Sequence, residues 1–175
     1  IRRHSPAVPI TTNFMTMSQF RFLDYHDWAP HQDVVSTDHY VVNSLEHPQA
    51  ELSFHGDLTR GLAGRRPWML MEHSTSAVNW QHVNPAKVPG GTILDSLAHV
   101  ARGADTLGFF QWRQSRSGSE KFHSALVPHA GEDSDRFREV CELGAIADRL
   151  GEVLGSRVDA DVAVLWDYEA LWAMS

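Results

Sequence analysis

Apolar positions along this chain fall into short runs and longer periodic stretches, and the two kinds alternate. Residues 8–14 (VPITTNF) are rich in β-branched side chains and read as a strand. Residues 19–30, with Leu23, Tyr25 and Trp28, predict a short helix that ends before Pro30. Residues 33–40 (DVVSTDHY) predict a second strand whose last residues turn polar. In 49–63, Ala50, Phe54, Leu58 and Leu62 recur every four residues, the mark of an amphipathic helix, which Gly64 closes. The apolar run from Trp68 to Met71 then stops abruptly at Glu72. A run of that kind predicts a buried strand, over 67–72, whose C-terminal end presents one charged group.

Beyond a loop marked by Pro85, Pro89, Gly90 and Gly91, a further helix is signalled by Ile93, Leu97, Val100 and Ala101. Residues 106–112 (TLGFFQW) predict a fourth strand. Ser134 is placed to cap a long helix with Phe137, Val140, Cys141, Gly144, Ala147 and Leu154 on one face. Residues 161–167 (DVAVLWD) then open another strand–helix unit. Strand, loop and helix repeat without hairpin signals, which predicts a parallel α/β arrangement. A (β/α)8 barrel typically needs about 250 residues, so four units make about half of one. No glycine-rich phosphate turn follows the first strand, which argues against an open dinucleotide-binding sheet.

Composition narrows the functional classes. Hydrophobic residues make up 42% and charged residues 21%, the balance of a globular domain. A formal charge of −7 argues against nucleic acid or an anionic membrane as partner, because both need a basic face. Cys141 is the single cysteine, so an internal disulfide is excluded, and its place in the helical pattern predicts a buried thiol. The first residue is Ile1 and the last residues suggest a helix just beginning, so the chain reads as a piece of something longer.

If the barrel reading holds, chemistry belongs at the C-terminal ends of the strands. Those ends offer Asn13; Asp38, His39 and Tyr40; Glu72, His73 and Trp80; and Trp112, Arg113, Glu120 and His123. Glu72 and Glu120 stand on the loops of adjacent strands. Glycoside hydrolysis uses two carboxyl groups about the scissile bond, so they form a catalytic pair, or one is catalytic and the other a sugar ligand. Tyr40 can donate to Glu72 from the neighbouring strand, and Trp80 and Trp112 can stack on a sugar ring. Each also has a plain alternative: a strand-end cap, a solvated Gly-Ser loop, or tryptophan packing. Among the histidines, His4, His26, His31, His47, His55, His82 and His99 read as surface or structural. Their spacings fit no zinc motif, so no metal and no cofactor is expected in this segment. The absence of a Gly-x-Ser-x-Gly elbow argues against a serine hydrolase.

The runs LMEHSTSAVNW, SLAHVARGAD, FFQWRQSRSGSEKFHSALVPHAG and GSRVDADVAVLWDYE resemble, in order, the β-galactosidases of glycoside hydrolase family 42. The resemblance implies strands five to eight of a (β/α)8 catalytic domain over residues 1–157, and the start of an α/β trimerisation domain over 158–175. It implies a retaining enzyme acting on terminal β-D-galactosides, with Glu72 as nucleophile at the end of strand seven. It implies further that Trp80, Glu120 and His123 hold the galactosyl unit and that Tyr40 sits beside the nucleophile. The family's acid/base lies in an Asn-Glu pair after strand four, and no Asn-Glu occurs in these residues. A homotrimer in the cytoplasm is the expected setting for the full-length protein.

Two other readings stay open on sequence grounds: a non-catalytic sugar-binding or assembly module, and an α-L-arabinopyranosidase. The coding region upstream of Ile1 and a panel of nitrophenyl glycosides discriminate them. Half a barrel leaves two strand edges unpaired, and such edges invite association. The isolated 175 residues are therefore expected to aggregate and to show no turnover; a monodisperse, active monomer in sedimentation velocity would contradict this.

Overall fold

The computed structural model describes residues 1–16 and 20–174. Four parallel strands form one sheet in chain order: β1 (Asn13–Phe14), β2 (Ser36–Asp38), β3 (Trp68–Glu72) and β4 (Ala104–Leu107). The first three strands are each joined to the next by a helical crossover. These carry α1 (Tyr25–Trp28) with a 3-10 turn (Ala29–His31), α2 (Pro48–Leu62) and α3 (Gly91–Val100). After β4 come a long loop, α4 (Asp135–Ala147), a second 3-10 turn (Gly151–Val153) and α5 (Tyr168–Ala173). Sequential parallel strands with helices on one side are the building units of a (β/α)8 barrel, here four of them. No helix among the described residues is long and apolar enough to cross a membrane.

The strands are shorter than the sequence pattern suggests. Residues 8–14 pair only at Asn13 and Phe14, and 33–40 only at Ser36–Asp38. The fourth strand begins at Ala104, two residues before the predicted start, and ends at Leu107. Gly108 explains the early end: a Cβ there would lie 2.2 Å from the Met71 carbonyl oxygen, so the chain crosses β3 too closely for a side chain. Of the residues predicted as the first helix, Gln19 lies outside the described residues. The remainder holds α1, where the Asp24 carboxylate accepts from the His26 amide at 2.8 Å.

Apolar periodicity locates only part of the buried faces of the helices. α2 buries Leu52, His55, Leu58, Thr59 and Leu62, while Ala50 is exposed. α3 buries Thr92, Asp95, Ser96 and His99, while Ala101 is exposed. α4 buries Leu143 and leaves Cys141, Gly144 and Ala147 exposed, so the thiol is at the surface rather than in the core. The reason in α4 is a charged anchor. Arg136 donates to Thr92 Oγ1 at 2.9 Å and to the Lys87 carbonyl at 3.0 Å, and Glu139 accepts from the Thr92 amide at 2.9 Å. Those bonds turn the Arg136–Glu139–Leu143 side inward. Ser134 caps the helix as its sequence position predicts, accepting from the Phe137 amide at 3.2 Å.

The expected strand over 161–167 is absent. Val162, Val164 and Leu165 are exposed and find no ladder partner among the described residues, because the segment runs along the outside of α2. Trp166 packs edge-on against Phe54 at 4.9 Å. α5 then brings Tyr168 into the core beside Tyr25, whose ring stacks on Phe14 at 4.4 Å. Leu70, Trp68, Leu58 and Leu62 complete that core between sheet and helices. Substituting Gly108→Ala forces β3 and β4 apart where they cross; in the full-length protein it should lower stability by roughly 1–3 kcal/mol, read from the denaturant midpoint.

Candidate active site at the strand ends

Glu72 closes β3, and its partners come from the two preceding strands. Tyr40, two residues beyond β2, donates to Glu72 Oε2 at 2.5 Å. Asn13, on β1, donates to Asp38 Oδ2 at 2.9 Å and approaches Glu72 Oε1 at 3.4 Å. One amide thus spans two neighbouring carboxyl groups. The register brings them together, since Asp38 lies opposite Glu72 in the parallel ladder.

These carboxyls differ in setting. Asp38 is buried, and that burial, reinforced by repulsion from Glu72, pushes its pKa up to about 7 against the opposing bond from Asn13. Tyr40 is also buried, and both burial and its bond to Glu72 push its phenol well above the ordinary range. It therefore stays a proton donor at any working pH. Glu72 is the carboxylate it faces.

Aromatic rings wall the space in front of Glu72. Trp80 is half exposed and stands edge-on to Tyr40 at 5.3 Å; His123 meets the same ring at 5.6 Å, and Phe110 backs His123 at 5.0 Å. Together with Met15, Asp38, Glu72 and Glu120 they line a cavity of about 250 Å³. The loop carrying Glu120 and His123 is tied to the loop after β3. The Asn79 amide donates to the Ser119 carbonyl, Ser124 Oγ accepts from the Ser76 amide at 2.9 Å, and Thr75 donates to the Ala125 carbonyl at 2.9 Å.

Within that loop His123 Nδ1 lies 2.9 Å from the Ser124 carbonyl, which can only accept, so Nδ1 carries the proton. The bare Nε2 and Glu120 Oε2 have no partner among the described residues. A cavity with two unpaired acceptors, a phenol, a carboxylate and an exposed indole suits a polyhydroxylated ligand with one apolar face.

Of the sequence candidates, Asn13, Asp38, Tyr40, Glu72, Trp80, Glu120 and His123 gather around this cavity. His39 and His73 do not: both are fully buried on the helix side of the sheet. Trp112 is exposed and, like Arg113, does not line the cavity. Met15 and Phe110 line it without having been singled out. Phe110 belongs to the Phe109-Phe110 pair beyond β4, and outside a strand no alternation indicates which ring points inward.

His39, His55 and His99 bring ring nitrogens within 4.8 Å of one another, the spacing of a metal site. Their orientation argues otherwise. The His39 and His55 rings are stacked at 4.0 Å and 16°, and lone pairs lying in two parallel ring planes do not converge on one ion. His39 Nε2 instead donates to Glu51 at 2.8 Å, which leaves Nδ1 to accept from His99 Nε2 at 3.0 Å. The trio is hydrogen-bonded core.

The family model described as β-galactosidase of glycoside hydrolase family 42 matches residues 1–150. A β-galactosidase of Arthrobacter sp. is 56% identical over 173 residues, 99% of this chain and 25% of that protein. β-Galactosidase BbgII of Bifidobacterium bifidum is 49% identical over 97% of this chain and 25% of its own length. Among solved structures, the cold-adapted β-galactosidase of Rahnella sp. R3 superposes with a TM-score of 0.93 at 43% identity, over 99% of this chain and 26% of its own. The Bacillus circulans β-galactosidase gives 0.91 at 43% identity, over 98% and 25%. The chain spans about a quarter of the length of the curated relatives it matches. These four βα units are part of a (β/α)8 barrel, and the chain belongs to the glycoside hydrolase family 42 β-galactosidases.

Proposed function

We propose that the protein carrying this chain hydrolyses terminal β-D-galactosides with retention of configuration, and that Glu72 is its nucleophile. The observation that carries the reading is the 2.5 Å bond from Tyr40 to Glu72 at the floor of an aromatic-walled cavity. Glu72 Oε2 attacks the anomeric carbon as the bond to the leaving oxygen breaks. A second carboxylic acid protonates that oxygen, and water later releases galactose from the glycosyl ester. The second carboxyl group comes from residues outside this chain and lies roughly 5–5.5 Å from Glu72, as retaining geometry requires.

Each neighbour has a task in that sequence. Tyr40 and Asn13 hold the carboxylate, so that one lone pair faces the sugar. His123 Nε2 and Glu120 Oε2 accept from sugar hydroxyls, and Trp80 supplies a flat wall for the apolar face of the pyranose. The family resemblance makes Glu120 a sugar ligand, not the second catalytic carboxyl. Asp38 is neutral below about pH 7 and places no second negative charge beside the nucleophile there. Residues 158–175 begin a trimerisation domain in this reading, and the assembled protein is a cytoplasmic homotrimer.

In the full-length protein, Glu72→Gly should abolish hydrolysis of nitrophenyl β-galactoside, and added azide should restore turnover as a β-galactosyl azide. Near-normal hydrolysis by that variant would overturn the assignment. Asp38 offers a second check, in stability. Its folded pKa lies above its unfolded value of 3.8, so the folded state holds the proton more tightly. Its contribution is therefore most favourable below about pH 4 and is lost as pH rises towards 7. Asp38→Asn keeps an acceptor for Asn13 and removes the titration. The variant should gain stability relative to wild type at pH 8 compared with pH 4, measured by denaturant melts.

A further inference from the structure

Lys87 is 5% exposed and takes no part in the cavity, yet its ammonium is fully engaged. Nζ lies 2.9 Å from Asp95 Oδ2, 2.8 Å from the Ser74 carbonyl and 3.2 Å from His73 Nε2. An ammonium has three N–H groups, and each has one acceptor here. Burial pulls the lysine pKa down, and Asp95 beside it opposes that pull.

The histidine end of this arrangement can be assigned. His73 Nδ1 lies 3.0 Å from the His39 carbonyl oxygen, which only accepts, so Nδ1 carries the proton and Nε2 is the lone pair that meets Lys87. Burial, then the Lys87 charge, holds His73 well below its ordinary pKa, in keeping with a neutral ring. His39, His99 and His55 are the other titratable rings in this layer, and Asp95 is the carboxylate that meets the ammonium. The imidazole is therefore a rigid spacer with one nitrogen on each side.

What it spaces matters for the site. His73 directly follows Glu72, and His39 directly precedes Tyr40. The His39 amide also donates to the Glu72 carbonyl at 2.9 Å. The ammonium is thus bonded to the two residues after Glu72, and through the imidazole to the residue before Tyr40. From this wiring we propose that Lys87 and His73 are positioning residues, which fix the backbone on which the Tyr40–Glu72 pair is set. The proposal rests on the reading of Glu72 as nucleophile.

The test uses the full-length protein and two variants. Lys87→Met with Asp95→Leu removes the ion pair together, leaving no unpaired buried charge to unfold the protein. His73→Asn keeps a donor for the His39 carbonyl and loses the lysine contact. Both should lower kcat about 10- to 100-fold, the scale of a misplacement of about 1 Å. KM should change less than about threefold, and covalent labelling by a 2-fluorogalactoside should slow in parallel with kcat.

Unchanged kcat in either folded variant, whatever its melting temperature, overturns the proposal while the assignment of Glu72 stands. Wild-type protein without β-galactosidase turnover overturns both. Imidazole 15N signals give a reading independent of activity. His73 should be the Nδ1–H tautomer and should not titrate between about pH 5 and 9. An Nε2–H tautomer or a titrating ring contradicts the wiring.

Discussion

The arrangement at the strand ends depends on one irregularity in the ladder between β2 and β3. Thr37 lies opposite Leu70, but the next residue of β2, Asp38, lies opposite Glu72, so β3 advances two residues while β2 advances one. Side chains alternate along a regular strand, and residues two apart share a face. Leu70 belongs to the core on the helix side, so in an unbroken strand Glu72 would follow it there. The extra residue reverses the parity and delivers the carboxylate to the cavity. A bulge of this kind re-aims a side chain beside a site at the cost of one unpaired backbone position.

The same alternation sorts the residues after it. On β2 and its extension, Asp38 and Tyr40 face the cavity, whereas Thr37 and His39 face the helices. Beyond the bulge, Glu72 faces the cavity and His73 the helices. Neighbouring residues in Asp-His-Tyr and Glu-His thus serve two different compartments. One is an open site with a carboxylate, and the other is a dry polar layer against α2 and α3.

This division explains what could be read from the sequence. The parallel α/β order, the strand ending at Glu72, α2 and α3 follow from apolar runs, breakers and caps, which act locally. The candidates at the strand ends follow from that order, since a parallel barrel has one functional end. Buried helix faces followed only in part, as at Leu58 and Leu62 of α2, because apolar periodicity presumes an apolar partner. On α2 and α3 the sheet meets polar residues as well: Thr59 bonds to Thr16, His55 to Thr37, Thr92 to the Thr75 carbonyl, His99 to His39 and Asp95 to Lys87. The strand expected over 161–167 failed for a related reason. β-Branched residues favour an extended segment, but a strand also needs an edge to pair with, and the segment lies across α2 instead.

A polar layer behind the strand that carries Glu72 has a physical rationale that an apolar one lacks. Apolar packing is nondirectional and tolerates small shifts of a backbone at little energy. A hydrogen bond weakens steeply as its angle opens, and a buried donor left without a partner costs about 1–3 kcal/mol. Lys87 has each of its donors committed to a different acceptor, so movement of the segment after Glu72 in any direction strains at least one charged bond. Burying that charge makes no clear gain in stability over a well-packed hydrocarbon. Its consequence is directional stiffness where the backbone carries Glu72, the residue whose carboxylate faces the cavity.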